Sequence, residues 1–320
     1  MANLKQASKI ILTKCLALKK TEKCLIITDA NKRDIAKEIF FESLKISKKT
    51  DYLEIPVGKI NGEEPPIDVS KKMLNYDVII CPTTKSLTHT NARIKASKKG
   101  ARIVTLPGIN ADIMKRCIDV NYDEMKKISK KIADLLDKGK IVNITTKKGT
   151  DITIDISKVK SHGRKGGDFT QKKDYGNLPE GEVFLCPNKT INTTGVYVVD
   201  ASQAGVGKLK NPIKITIKNG FATKIEGKKE AKILSDLLKS IKDKNAYNLA
   251  ELGIGVNKKA KVTGIVLEDE KVFGTCHLAL GKDDAFGGKV NVPIHVDGII
   301  KNPTIKIDNK TIMKNGKLVI

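Results

Sequence analysis

Short apolar runs alternate with stretches of helical spacing between residues 24 and 105. That alternation constrains the fold more than any other feature of the chain. Cys24 to Asn31, apolar at first and ending in polar residues, Tyr52 to Ile55, Asp77 to Cys81 and Ala101 to Thr105 read as strands. Residues 4 to 18, 32 to 46 and 88 to 99 carry apolar positions at helical intervals, as does a short stretch before Asp77. Strands separated by helices imply βαβ crossovers and a mainly parallel sheet. A helix over Tyr122 to Lys138 closes this part. The expectation is an α/β Rossmann-like domain over residues 1–139.

The pattern changes near Gly139. Residues 140 to 156 alternate apolar and polar positions across Lys148-Gly149, which signals a hairpin. Strand-like runs continue at Gly195 to Asp200, Ile213 to Lys218, Val262 to Leu267 and Thr304 to Ile307, with a helix at Glu230 to Lys242. Residues 140–320 are therefore expected to form a β-rich α+β domain, and the metal chemistry is expected there.

Sixty Lys and Arg stand against 36 Asp and Glu, a formal net charge of +24. The lysines are spread as single pairs, and aromatic residues are only 4% of the chain, so basic and stacking residues do not interleave. A solvated basic surface is expected rather than a nucleic-acid interface. The same scarcity of Phe and Tyr shows no ring-binding aromatic cluster. Six cysteines have no CxxC spacing, which excludes a zinc ribbon and points to a reducing compartment. No signal-peptide core and no apolar run of about 20 residues is present, so a cytoplasmic protein with no membrane partner is expected.

Two of the four histidines lie between Gly274 and Asp297. His295 and Asp297 form an H-x-D pair. On a strand, residues i and i+2 share a face, about 6.6 Å apart along the backbone. Imidazole with carboxylate suits Zn, Mn, Co or Fe(II). Gly281, Gly287 and Gly288 give the intervening loop freedom to return His277 to the pair. On a strand, Cys276 would point away from His277. Glu182 and Glu251 lie in apolar runs, where a carboxylate needs a partner or a metal. A lone core histidine beside a capping aspartate would explain H-x-D by itself. The five groups together number enough for a two-metal site.

Phosphate loops of the GxxxxGK[ST] and GxGxxG kinds, HExxH and GxSxG are all missing. Ser86 to Arg93 follows the third strand, which puts His89 near the carboxyl edge of the sheet, with Ser86 or Thr88 as a helix cap. Gly163 to Gly167 is a basic glycine loop, and the neighbouring His162 has only its position to recommend it.

Four segments occur in order: Gly176-Asn177-Leu178-Pro179-Glu180-Gly181-Glu182-Val183-Phe184, Ala250-Glu251-Leu252-Gly253-Ile254-Gly255-Val256-Asn257, Gly274-Thr275-Cys276-His277-Leu278-Ala279-Leu280-Gly281 and His295-Val296-Asp297. The series resembles the aminopeptidase T family of metalloaminopeptidases, and Ser86 to Arg93 with Leu106-Pro107-Gly108 is similar to that family's N-terminal domain. The resemblance implies a metal-dependent hydrolase removing N-terminal residues from peptides. Two divalent ions, Zn, Co or Mn, would be held by Glu182, Glu251, His277, His295 and Asp297, with Glu182 as candidate general base. Peptidases of that family carry a tyrosine seven residues after the first histidine, and this chain has Asp284 there. Asp284 is thus a second candidate catalytic residue. A related branch, the 2,5-dihydroxypyridine 5,6-dioxygenases, would instead use one Fe(II) on His277, His295 and Asp297. A homodimer acting on a peptide or small molecule is expected.

Overall fold

The computed structural model describes residues 3–320, arranged as two compact units. One takes the chain up to residue 122 together with 167–180; the other takes 123–166 and 181–320.

In the first unit a sheet runs in the order Thr50–Ile55, Cys24–Asp29, Val78–Cys81, Arg102–Thr105, Tyr175–Asn177. Every neighbouring pair is parallel. The three inner strands are buried throughout, as expected of strands covered on both faces. Leu25, Ile27, Ile79 and Ile103 pack with Val69, Met73, Ala92 and Ala96 from the helices Ile67–Met73 and Asn91–Lys99. The first helix is shorter than expected. It is α-helical over Leu4–Ile10, widens to a π-turn over Ile11–Cys15, and ends where Ala17 takes φ 45°. The helix after the third strand is capped by Thr90, not by Ser86 or Thr88, whose hydroxyls bond each other instead. A helix at Ala111–Cys117, capped by Asn110, was not expected.

The second unit begins with the helix that runs to Lys138. Its eight-stranded sheet contains the hairpin Ile141–Thr145 and Asp151–Asp155, with Thr194–Val199 and Ile213–Lys218 on one side and Thr304–Ile307 on the other. A six-stranded sheet runs Gly207–Lys208, Ser202–Gln203, His295–Lys301, Thr275–Gly281, Leu249–Gly255, Glu182–Leu185, antiparallel at each pairing. The helix Lys229–Ser240 packs on Phe221–Gly227. The fold class is thus an α/β unit with a parallel sheet and a β-rich unit with antiparallel sheets. No helix among the described residues is long and apolar enough to cross a membrane.

Two expectations are corrected. Val262 to Leu267 is not a strand. Asp269 accepts from the amides of Thr263 and Gly264, and Glu268 from that of Lys261, which curls the segment into a turn leading to the helix Val266–Asp269. The division of the chain also differs from a boundary at 139. The helix before that point is tied to the second unit by Asp137, which accepts from Ser161 and Arg164. Residues 167–180 belong to the first unit because Tyr175–Asn177 completes its sheet.

Arg102 reaches Glu22 through both guanidinium ends, at 3.0 and 2.6 Å, and its side chain is 5% exposed. Burial would raise the Glu22 pKa, but the Arg102 hydrogen bonds bring it below its ordinary 4.5. A carboxylate with a depressed folded-state pKa contributes stability above its unfolded value and loses it as pH falls through the folded one. We expect Arg102→Met to cost roughly 3 kcal/mol in urea unfolding at pH 7, since it strands a carboxylate. The gap between wild type and variant should narrow as the pH is lowered below 4.5.

Candidate metal centre

Strand register alone collects the candidate residues. Ala279 pairs with Glu251 on one side and with Asp297 on the other. His277 pairs with Gly253, His295 with Gly281, and Glu182 with Gly255. Paired residues point to the same face of a sheet, as do residues two apart on a strand. Glu182, Glu251, His277, His295 and Asp297 therefore all project from one face of the six-stranded sheet. The positions between them on that face are Gly253, Gly255, Ala279 and Gly281, and the His277 ring, the Val272 carbonyl and the Ile294 carbonyl approach the three glycines too closely for any side chain there. His277 lies on a strand and not on a mobile loop, and His295 is the first residue of its strand. Cys276 points to the other face, buried, and all six cysteines are free thiols.

Glu251 sits between the two imidazoles. His277 Nε2 lies 3.1 Å from its Oε1, and His295 Nε2 lies 3.4 Å from its Oε2. His295 Nε2 is also 3.4 Å from Asp297 Oδ1, and His277 Nε2 is 3.4 Å from Glu182 Oε2. Two groups have ligand atoms within 4.8 Å of one another: Glu182, Glu251 and His277, and Glu251, His295 and Asp297. The rotamer of His295 is held from behind. Its Nδ1 is 2.7 Å from the Lys282 carbonyl, which can only accept, so Nδ1 carries the hydrogen and Nε2 faces the carboxylates.

The residues present fit a divalent cation. Glu182 Oε2 and Asp297 Oδ1 are buried and have no hydrogen-bond donor. Acceptors left without a donor in a buried site carry a desolvation penalty that a cation removes. Burial alone would raise Glu251, but hydrogen bonds from His277 and His295 hold its carboxyl down at about 2. Burial opposes charging His277, yet the Glu251 hydrogen bond, with Glu182 and Asp297 nearby, lifts it to about 9. His295 is likewise driven well above its ordinary value, against its burial, by Asp297 and Glu251. The site attracts positive charge, and protons compete with a metal for its nitrogens.

Several neighbours were not legible as site residues. Phe286 stands edge-on to His295 at 5.8 Å between ring centroids and edge-on to Phe184 at 5.6 Å. His162 stacks on Phe184 at 5.2 Å, and its Nε2 lies 3.2 Å from the Phe286 carbonyl. An aromatic wall thus stands beside His295 despite the low aromatic content, because residues distant in sequence meet there. Lys271 is fully buried, with Nζ 2.9 Å from Glu182 Oε1 and also bonded to Glu270. Glu270 is raised to about 8 by burial and by the Glu182 charge. In sequence, Glu268 to Lys271 looks like a charged surface turn, and only its burial shows otherwise.

Asp284 is in neither ligand group. It is exposed, 3.5 Å from Lys282. The buried carboxylate of that loop is Asp283. It accepts from Lys189 Nζ at 2.6 Å, from Asn248 Nδ2 at 2.7 Å and from the Val290 amide at 2.7 Å. In the first unit, His89 is exposed, and Arg93 is buried with its guanidinium 3.8 Å from the Tyr175 ring centroid.

A family model described as 2,5-dihydroxypyridine 5,6-dioxygenase (NicX) matches residues 5–320. The chain belongs to the NicX family. A curated NicX-family relative, the 2,5-dihydroxypyridine 5,6-dioxygenase of Pseudomonas putida KT2440, is 25% identical over 254 residues, covering 74% of this chain and 69% of the relative. Among solved structures, the 2,5-dihydroxypyridine dioxygenase from Pseudomonas putida KT2440 superposes with a TM-score of 0.85 at 19% identity, over 99% of this chain and 96% of that one. Wild-type AmpT from Thermus thermophilus superposes with a TM-score of 0.72 at 16% identity, over 99% of both chains. The NicX family is one of enzymes, and this member is an enzyme on that footing. The likeness to AmpT is one of fold. The expectation of an aminopeptidase, and with it hydrolase and protease chemistry, is overturned by the family match over nearly the whole chain. The two-ion Zn, Co or Mn centre that accompanied it loses its support.

Two predictions test this geometry. A Cβ added at Gly253 would stand 2.0 Å from His277 Nε2. Gly253→Ala should keep the circular dichroism spectrum while weakening Mn(II) binding at least ~10-fold by calorimetry, the usual penalty for misorienting a ligand. In thermal unfolding, Asp284→Asn should lie within about 0.5 kcal/mol of wild type, as surface substitutions do. Asp283→Asn should cost about 2 kcal/mol, through the broken Lys189 pair and the unpaired donors it leaves.

Proposed function

We propose that this NicX-family chain is a mononuclear Fe(II)-dependent dioxygenase that opens a hydroxylated aromatic nitrogen ring such as 2,5-dihydroxypyridine. The observation that carries the reading is the meeting of two imidazoles and the Asp297 carboxylate around Glu251, on one face of the six-stranded sheet of a NicX-family chain. His277, His295 and Asp297 would hold the iron as a two-histidine, one-carboxylate set. Bound iron(II) would supply a redox-active centre where dioxygen and an electron-rich ring can be joined.

The chain's own residues do the rest. In the metal-free chain Glu251 faces the Nε2 atoms of both imidazoles and so fixes how they are turned toward the centre. The Lys282 carbonyl keeps His295 in the tautomer that leaves Nε2 for the metal. Phe184 and Phe286 offer apolar faces and edges against which a flat ring can lie. His162 stands on the same wall with its Nε2 hydrogen on the Phe286 carbonyl, which leaves Nδ1 as an acceptor for a ring substituent.

The test is oxygen uptake by anaerobically purified chain loaded with Fe(II), with 2,5-dihydroxypyridine as substrate. We expect oxygen consumption tied to loss of the ring's absorbance, abolished by a chelator and by His295→Ala. No oxygen uptake across a panel of hydroxylated pyridines and dihydroxybenzenes, with iron bound, would refute the reading.

A further inference from the structure

A lysine with no place in the proposed chemistry is buried at the edge of the metal centre. Lys271 is 1% exposed and ranks among the largest fully buried side chains of the molecule. Its Nζ lies 2.9 Å from Glu182 Oε1 and also bonds Glu270 Oε1, whose side chain is 14% exposed. The backbone is built to hold it there. Asn257 N–H donates to the Lys271 carbonyl at 2.8 Å, and Asn257 bridges to Val272. That crossing runs so close over the sheet that a Cβ at Gly255 would meet the Val272 carbonyl oxygen at 2.2 Å. The ammonium is therefore fixed by main-chain packing as well as by its ion pairs.

Its position matters because the ligand atoms fall into two groups. Glu251, His295 and Asp297 form one; Glu182, Glu251 and His277 form the other. Two groups sharing a carboxylate are what a pair of ions about 3.5–4 Å apart would use. With His277 given to the one resident ion, what the second group has left of its own is Glu182, and Glu182 already holds a cation in the form of the Lys271 ammonium. Three carboxylates, Glu182, Glu251 and Asp297, belong to the two groups. One ammonium and one divalent ion balance their charge, and a second divalent ion would leave an excess of positive charge.

We propose that Lys271 is a built-in second cation that occupies the electrostatic place of a second metal on Glu182 and limits this centre to one divalent ion. The inference rests on the one-iron reading above and adds the residue that enforces it. Glu182 is then a partner of Lys271 and not a ligand of the resident metal. Removing the ammonium turns Glu182, with its unbonded Oε2 beside His277, into half of an unfilled cation site.

The experiment is Mn(II) titration of the full chain by calorimetry, with electron paramagnetic resonance of the loaded protein. Wild type should take one Mn(II) per chain and give the spectrum of an isolated ion. Lys271→Met should take two and show the exchange coupling of neighbouring Mn(II) ions. Lys271→Met combined with Glu182→Gln, which removes the stranded carboxylate, should return to one. If Lys271→Met folds only when Mn(II) is present, the proposal is supported, because the metal replaces the missing charge. If it folds only when Glu182→Gln is added, whatever the Mn(II) concentration, the proposal fails. One ion in both wild type and a folded Lys271→Met overturns the role of Lys271 and leaves the one-iron reading standing. Two coupled ions in wild type, or none, overturn both.

Discussion

The Glu251 carboxylate between two imidazoles is the interaction on which the centre depends. One oxygen faces His277 and the other His295, so a single side chain sets the relation of two histidines on separate strands. That arrangement is possible only because three antiparallel strands place positions 251, 277, 295 and 297 on one face in register. A slip of one residue in either pairing would turn a ligand to the opposite face. The register is secured far from the centre, by the apolar side of the same strands. Leu252, Ile254, Cys276, Leu278, Leu280, Val296 and Ile300 are all buried there.

The price of the arrangement is a face of the sheet on which three positions admit only glycine. A Cβ at Gly253, Gly255 or Gly281 would collide with the His277 ring, the Val272 carbonyl or the Ile294 carbonyl. Buried carboxylates accumulate beside them. The cluster without metal is held by charge pairing, with the imidazoles favoured in their protonated form and Lys271 on Glu182. Metal binding and proton release are accordingly linked, and the same groups that hold the fold locally also receive the ion.

Much of this was legible in the sequence, for identifiable reasons. The strand–helix alternation of the first 105 residues depends on local periodicity, and the parallel sheet follows it closely. The H-x-D pair is a two-residue period on one strand, and His295 and Asp297 do share a face. Glu182 and Glu251 stood out because carboxylates in apolar runs require partners, and they lie beside His277. What was hidden depends on long-range assembly. Tyr175–Asn177 is too short and too polar to announce a strand, yet it completes the first sheet. His162, Phe184 and Phe286 lie in three separate segments, so a 4% aromatic content concealed a wall of rings. Asp283 and Asp284 are chemically the same in sequence, and only the Lys189, Asn248 and Val290 contacts tell them apart. The reaction class was not separable from ligand types alone. The same carboxylates and imidazoles serve hydrolysis and oxygen chemistry, and it was the family match that set the aminopeptidase aside.

The loop between the His277 and His295 strands is anchored at both of its ends. Asp283 is clamped by Lys189, Asn248 and Val290, and the Lys282 carbonyl bonds His295. The stretch from Asp284 to Lys289 lies between those anchors, with Phe286 edge-on to His295. Such an arrangement is modular: mutational drift in those few residues can reshape what is admitted to the centre while the metal ligands stay in place. Relatives with different ring preferences would then be expected to diverge first between the two clamps, and directed evolution of specificity has its natural starting library there.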